Sequence, residues 1–309
     1  ETLAGLSTVE QLAQITPPLR DLRRLVQQLN GPATAAPRTV AGAPPAYAID
    51  DQESFSVRNT STNRVTEISA TLVYSTPVAY IWVQSDQEFD RAGLQRSADR
   101  FSSITYPNVV NAFGSEWRPG VDNDERLHIL YNVAMGDGVS GYFSGSDEYT
   151  RAVLPFSNQK EMFYINLLAI NRSQNYAALD TTLAHELQHM IHWHMDRGEE
   201  LWINEGLSEY AQQVAEFAVG GAFTAAFTAD PDLQLTSWGT VNGNRPHYGA
   251  AYLFIVYLAQ QFGPPAIANL VADPDNGMSS VTNALASVGA ELDGEQLFAD
   301  WVAANYADQ

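Results

Sequence analysis

The sequence contains no cysteine among its 309 residues. This absence excludes disulfide bonds, thiolate catalysis and cysteine-ligated zinc. Basic residues are also scarce, since 16 Lys and Arg residues stand against 36 Asp and Glu residues and the formal net charge is -20. Without a basic stripe to neutralise phosphates, the chain is not expected to bind nucleic acid, and an anionic membrane surface is disfavoured for the same reason.

Long apolar runs are missing as well. No segment approaches the roughly 20 apolar residues of a membrane-spanning helix, so no membrane insertion is expected. The N-terminal segment lacks the basic-then-apolar order of a signal peptide, and we expect that an export signal, if there is one, has been removed. The composition is nevertheless 45% hydrophobic with 17% charged residues, which is enough for a packed core.

Residue patterns predict strands first and helices later. A helix over 8–29 and a Pro/Ala/Gly-rich linker over 31–46 come before both. β-branched and aromatic residues predict strands at Ser54–Arg58, Val65–Tyr74, Val78–Val83, Leu127–Val133 and Glu161–Leu168. Helices are predicted at 91–113, 176–195, 200–218, 247–262, 264–272, 279–288 and 294–306.

This order is typical of an α+β protein. We expect residues 1–46 to be an appendage and residues 47–309 to form one domain. Its upper half, 47–198, would contain a mixed β-sheet, and its lower half, 199–309, would be mostly helical. An active-site cleft is expected between the two halves.

The motif H-E-x-x-H occurs at His185, Glu186 and His189. On a helix, positions i and i+4 lie one turn apart on the same face, so both imidazoles can reach one zinc ion at about 2.0–2.1 Å. Glu186 lies beside that face and can hold a zinc-bound water instead of ligating the metal. The apolar residues of the segment follow helical spacing on the opposite side, which supports a helix here.

A catalytic zinc site needs a third protein ligand and an open position for water. The metzincin pattern fails, because His192 occupies its glycine position and Met195 its final histidine position. Glu205, on the next predicted helix, is the better candidate. Glu209 lies one turn further on the same face, where it can accept a hydrogen bond from a ligand imidazole.

The segments HELQHMIHW and WINEGLSEYA together resemble the gluzincin metallopeptidases, the broad group of thermolysin, and in detail the hyicolysin family of bacterial secreted peptidases. The resemblance extends from about Tyr47 to Tyr306. It implies one catalytic Zn²⁺ held by His185, His189 and Glu205, with Glu186 as the general base and Glu209 as a hydrogen-bond acceptor for a ligand imidazole. It also implies a secreted or cell-surface location. The short interval before Glu205 and the missing G-A-M-E-N signature favour an endopeptidase.

Two residues are candidates for stabilising the oxyanion of amide hydrolysis. Tyr248 resembles the catalytic tyrosine of aminopeptidase-like gluzincins, and His247 could act instead, as a histidine does in thermolysin. The other histidines, His128, His192 and His194, are interpreted as structural. The acidic segments at 122–124, 230–232 and 273–277 could bind Ca²⁺, although turn chemistry explains them more simply.

The sequence therefore predicts a zinc-dependent peptidase that acts on peptide or protein substrates. Two alternatives remain at this point: an aminopeptidase of the gluzincin group, and a non-catalytic zinc-binding secreted module. The chemistry of the motif alone would permit any amide or ester substrate. The sequence predicts no oligomeric state.

Overall fold

The computed structural model describes Ser7 and residues 21–31, 36–173, 176–218, 221–239 and 243–307. Contacts divide the chain into two compact units, Glu1–Ala36 and Pro37–Gln309. In the first unit the described helix is α1 (Leu22–Asn30), whose N-terminus is capped by the Asp21 side chain. The rest of the helix predicted over 8–29 lies outside the described residues.

The second unit combines a mixed sheet with helices, so the α+β prediction is confirmed. Its strands are β1 (Gln52–Arg58), β2 (Val65–Ser75), β3 (Ala79–Gln84), β4 (Leu127–Asn132), β5 (Gly141–Phe143) and β6 (Met162–Asn166). The helices are α2 (Arg91–Arg100), α3 (Tyr106–Phe113), α4 (Leu167–Ser173), α5 (Tyr176–Met195), α6 (Leu201–Val214), α7 (Gly221–Ala229), α8 (Arg245–Ala272), α9 (Met278–Ser287) and α10 (Gly294–Ala307). A π-helical turn at Phe101–Thr105 joins α2 to α3.

The strands form one sheet in the order β1-β2-β3-β4-β6-β5. β4 runs parallel to both of its neighbours, β3 and β6, and the other neighbouring pairs are antiparallel. β4 and β6 are buried along their whole length, as expected for parallel strands covered on both faces. β5 was not predicted, and it lies at the edge of the sheet.

The helical half follows the prediction except at one place. The two helices expected at 247–262 and 264–272 are both present, since α8 is divided by a kink at Gly263, whose φ of 76° is not helical. Helix α7 was missed, because its Gly-, Ala- and Phe-rich sequence has no clear polar face to reveal a helical period. Within the described part of the chain, none of the helices is both long and apolar enough to cross a membrane.

Two glycines let helices approach α8 closely. A Cβ atom on Gly206 of α6 would lie 2.8 Å from the backbone oxygen of Ala251, and one on Gly249 would lie 2.2 Å from the backbone oxygen of Phe223. Both distances are shorter than real side-chain contacts allow. Glycine at these positions therefore brings α6 and α7 against the start of α8, where Tyr248 is located.

Part of the predicted linker packs within the second unit. The backbone N–H of Val40 donates to the carbonyl oxygen of Val121 at 2.7 Å, and the Asn123 amide donates to the Val40 oxygen at 2.8 Å. The Thr150 hydroxyl donates to the Pro37 oxygen at 3.1 Å. The boundary between the compact units therefore falls before the Pro/Ala-rich stretch ends, and the appendage over 1–46 stays a prediction.

Candidate metal centre

Helix α5 positions the H-E-x-x-H motif as its sequence predicts. Leu183, Leu187, Met190 and Ile191 are almost completely buried in the core. This apolar face fixes the rotation of the helix about its axis. His185 and His189 consequently project away from the core, side by side, with their ring centres 4.6 Å apart.

Both imidazoles are oriented by side chains of α6. His185 donates from Nδ1 to Oε1 of Glu209 at 3.1 Å, which is the partner the sequence predicts. His189 is held through Nδ1 by the Ser208 hydroxyl at 2.9 Å, a contact that the sequence reasoning missed. A donating Nδ1 leaves Nε2 of the same ring as a bare acceptor. The two Nε2 atoms nevertheless lie only 3.0 Å apart.

Glu205 adds a third acceptor to the same point. Its Oε2 lies 3.3 Å from Nε2 of His185 and 3.6 Å from Nε2 of His189. This oxygen is buried and has no hydrogen-bond partner among the described residues. Three acceptors so close together repel one another unless a proton or a metal ion lies between them.

The spacing of these atoms fits zinc. Ligand atoms of a tetrahedral zinc site, each about 2.0–2.1 Å from the metal, lie about 3.3–3.4 Å from one another. The three measured separations of 3.0, 3.3 and 3.6 Å fall on either side of that value. His185, His189 and Glu205 thus have the chemistry and the spacing to hold one metal ion.

Glu186 is not one of the three converging groups, and its carboxylate lies beside strand β5. It is only 5% exposed. Burial raises the pKa of Glu186 above its ordinary value, and the neighbouring imidazoles and the backbone N–H of Phe143 lower it by less. A Cβ atom on Gly141 would lie 3.2 Å from Oε1 of Glu186, so the absence of a side chain there keeps β5 close to this carboxylate.

A cleft of about 470 Å³ opens in front of these groups. Its lining comes from residues 138–141, from α5 and α6, from the start of α7, and from Arg245 and Tyr248 of α8. His185, Glu186 and Glu209 all reach this cleft.

The two oxyanion candidates differ in position. Tyr248 lines the cleft, and its ring is held between Phe223, stacked at 5.0 Å, and Trp238 at 4.9 Å. Burial raises the pKa of the Tyr248 hydroxyl, and the nearby carboxylates of Glu205, Glu209 and Glu186 raise it further. His247 packs against Trp238 and is not part of the cleft lining. The geometry therefore favours Tyr248.

The remaining histidines lie in packed surroundings. His128 on β4 is fully buried and accepts at Nδ1 from the Trp82 indole at 3.0 Å. His192, also fully buried, pairs through Nδ1 with the Asn204 amide at 3.0 Å. His194 is half-buried near the end of α5.

A pair of buried carboxyl groups, Glu148 and Glu161, lies outside the cleft. Their exposed fractions are 4% and 2%. Burial raises the pKa of both groups, and the repulsion between them raises that of Glu161 further. Two carboxyl groups this close are most stable when they share a proton, so that one donates to the other.

The acidic segments considered for calcium are engaged in turns. The backbone N–H of Asp124 donates to Asp122, and that of Asp275 donates to Asp273. Asn283 bridges the carboxylates of Asp273 and Asp275. None of these segments is among the groups of described residues whose donor atoms converge on one point. Calcium binding stays a prediction.

No family model matches the sequence, and no curated protein matches it.

Proposed function

We propose that this protein is a zinc-dependent peptidase in which His185, His189 and Glu205 hold the metal and Glu186 is the general base. The observation that carries the proposal is the convergence of three acceptor atoms at 3.0–3.6 Å on one point. Glu209 hydrogen-bonds to Nδ1 of His185, and Ser208 hydrogen-bonds to Nδ1 of His189. These contacts leave Nε2 of each ring for the metal, which supports a ligand role for both imidazoles.

The side chains around this point have distinct roles in amide hydrolysis. A zinc ion held there supplies Lewis acidity, which activates water and polarises a carbonyl group. Glu186 accepts the proton of the attacking water and then delivers it to the departing amine nitrogen as the C–N bond breaks. Tyr248 stays protonated at neutral pH because its pKa is raised, so its hydroxyl can donate a hydrogen bond to the oxyanion.

Strand β5 supports a peptide as the substrate. It pairs with β6 along one edge, and residues 138–141 line the cleft beside Glu186. An extended peptide can add to such an edge through main-chain hydrogen bonds, which neither a simple amide nor an ester could match. The resemblance to the gluzincins, and to the secreted hyicolysin family, points to the same substrate class.

The proposed arrangement places the cleft between a sheet-bearing half, 47–198, and a helical half, 199–309. An endopeptidase requires a cleft that is open at both ends, so that an extended peptide can continue beyond it. An aminopeptidase, in contrast, closes one end with an acidic anchor for the substrate amine. A non-catalytic zinc module would have no need for a buried carboxylate aimed at the cleft from position 186.

Peptide cleavage with defined metal content tests the proposal. The chelator-treated protein should be inactive and should recover turnover with one equivalent of Zn²⁺, on peptides blocked at both ends. Cleavage of peptides with free amino termini alone would indicate an aminopeptidase. Stoichiometric zinc binding without cleavage of any member of a mixed peptide library would contradict a catalytic role.

A further inference from the structure

A second group of metal-type side chains follows the first along helix α5. The donor atoms of His192, Asp196 and Glu199 all lie within 4.8 Å of one another. His192 lies on α5, and Asp196 directly follows the last residue of that helix, where its backbone N–H still donates to the carbonyl oxygen of His192 at 2.7 Å. The two residues repeat the i, i+4 spacing of His185 and His189 seven residues later and so continue the same face. The offset corresponds to about 10 Å along the helix axis.

Two atoms of this group are buried without partners. His192 is 0% exposed and Asp196 is 6% exposed. Among the described residues, neither Nε2 of His192 nor Oδ2 of Asp196 has a hydrogen-bond partner. Buried polar atoms of this kind are costly unless a ligand satisfies them.

The other atoms of the group are held in place. Oδ1 of Asp196 accepts from the backbone N–H of Gly198 at 3.0 Å. Oε1 of Glu199 accepts from the backbone N–H groups of Gly277 and Glu200, and Oε2 accepts from the Ser280 hydroxyl at 2.7 Å. Asp196 therefore keeps Oδ2 free for a ligand, and Glu199 keeps one lone pair on Oε2.

The ring of His192 can present a free lone pair to this point. Its Nδ1 lies 3.0 Å from Nδ2 of Asn204, and a flip of this amide brings the side-chain oxygen to the same position. When the amide presents its oxygen, Nδ1 donates to it and Nε2 becomes an acceptor. Burial lowers the pKa of His192 to about 3, so the ring is neutral and available as a ligand.

Arg197 is the cation nearest to these carboxylates along the chain, but it points elsewhere. Its guanidinium donates to the Tyr149 hydroxyl at 3.3 Å and lies over the Trp193 ring at 5.2 Å. It forms no ion pair within 4.0 Å of Asp196 or Glu199 in the described structure. A cavity of about 250 Å³ borders Asp196 and Glu199 and provides an entry path, and the same cavity also reaches His189 and Glu205 of the first group.

We propose that His192, Asp196 and Glu199 bind a second divalent transition-metal ion. One imidazole and two carboxylates suit zinc or a neighbouring first-row metal, whereas calcium takes oxygen ligands. The ion joins the end of α5 to the connection that leads into α6. It therefore fixes the segment that positions Glu205. The offset of about 10 Å between the two groups along the helix axis is longer than the roughly 3.5–4 Å between the ions of a bridged metal pair, so the two sites are separate.

Zinc counting on purified full-length protein tests this site independently of catalysis. After chelator treatment and reloading with Zn²⁺ alone, elemental analysis should find about two ions per wild-type chain. Asp196→Asn and Glu205→Gln should each reduce this to about one, and the double variant to nearly none. Glu200→Gln is the matched control: its carboxylate is adjacent to the group but accepts from the Trp202 indole at 2.8 Å, and it should keep both ions.

Each outcome bears on one of the two sites. A single ion that is lost in Glu205→Gln and kept in Asp196→Asn would overturn the second site and leave the proposed function intact. A single ion with the reverse pattern would keep the second site and contradict the proposed function. If Asp196→Asn does not fold, Glu199→Gln takes its place with the same expected count. Both ions retained in a folded Glu199→Gln protein would also overturn the site.

Discussion

The ligand group of His185, His189 and Glu205 and the acid pair of Glu148 and Glu161 stabilise opposite charge states of their carboxyl groups. At the ligand group of His185, His189 and Glu205, burial raises the pKa of Glu205, but the two imidazoles lower it by more, to well below its ordinary value. At the acid pair, Glu148 and Glu161, burial raises the pKa of both groups, and repulsion from Glu148 raises that of Glu161 further. The acid pair is almost completely buried and the ligand group is largely buried, with the Glu205 side chain 13% exposed, so the difference comes mainly from the partners.

A buried carboxylate stays ionised only where a positive partner shares its environment. Without metal that partner is protonated His185: burial lowers the pKa of this imidazole, but the carboxylates of Glu205 and Glu209 raise it by more. A bound metal ion takes the place of this proton. The ligand group is therefore suited to hold a cation, and the acid pair is suited to hold a proton. This contrast predicts that substitutions at the first place change metal binding and turnover, whereas substitutions at the second change the pH dependence of stability.

The largest expected effect is on turnover. Glu186→Gln keeps the shape of the side chain but removes the base, so turnover should fall by about three orders of magnitude. Zinc content should be unchanged, because Glu186 is not one of the three converging groups. Steady-state kinetics with zinc analysis checks this. Near-wild-type activity in a folded Glu186→Gln protein would refute the mechanism, and Glu200→Gln serves as the control.

The next expected effect is on metal affinity. Glu205→Ala removes one converging atom, and zinc affinity should fall by more than about 100-fold. Glu209→Ala removes only the acceptor for Nδ1 of His185, and such losses are typically about 10–100-fold. Competitive zinc titration of both variants measures the difference. Equal affinity of Glu205→Ala and wild type would show that another residue provides the third ligand.

A smaller effect on turnover is expected at the cleft wall. Tyr248→Phe keeps the ring stacked on Phe223 and removes the hydroxyl, so kcat should fall by about 100-fold with zinc retained. Tyr252→Phe is the matched control one turn further along α8, because its hydroxyl donates to Gln213 at 2.7 Å. If the two variants have the same kcat, Tyr248 does not stabilise the oxyanion.

The sequence predicted the ligand group because its geometry is local to two helices. The apolar face of α5 and the i, i+4 spacings of His185 with His189 and of Glu205 with Glu209 require only helical periodicity. The contact of Ser208 could have been predicted in the same way, because Ser208 lies one residue before Glu209 on α6, the helix that faces His189.

Other features depend on contacts that no local pattern encodes. β5 has only three residues, too few for alternation to be recognised. The second metal group needs Glu199, whose position is fixed by Gly277 and Ser280 far along the chain. The acid pair likewise joins Glu148 and Glu161 across a loop with no recognisable motif.

The acid pair should make stability depend on pH without changing turnover. Because the folded-state pKa values are raised, this contribution is fully present below the ordinary carboxyl value of about 4.5 and is lost as pH rises through the raised values. Each proton released on unfolding corresponds to about 1.4 kcal/mol per pH unit. Charges that act on the pair include Arg197, Asp122 and Asp147.

The variant Glu148→Gln/Glu161→Gln tests this contribution. Its unfolding temperature should vary less between about pH 5 and pH 9 than that of the wild type, with turnover and zinc content unchanged. Thermal unfolding of the metal-free proteins at several pH values provides the comparison. The same pH dependence in both proteins would show that the pair does not hold a proton.

The smallest effect concerns the N-terminal residues, and two deletions separate their contributions. A chain that begins at Pro37 lacks the first compact unit. A chain that begins at Tyr47 also loses the hydrogen bonds of Pro37 and Val40 to Thr150, Val121 and Asn123. At about 1 kcal/mol for each bond, the second deletion should cost about 2–3 kcal/mol more unfolding free energy than the first.

Turnover of the same two proteins decides what the segment does to the cleft. The residues proposed for catalysis all lie beyond 180, so we expect both deletions to leave turnover intact when the protein is folded. A several-fold increase on deletion of 1–36 would instead identify that segment as a propeptide remnant that competes with substrate. Equal denaturant midpoints for the two deletions would show that residues 37–46 contribute nothing, and that the domain begins at Tyr47 as the sequence predicts.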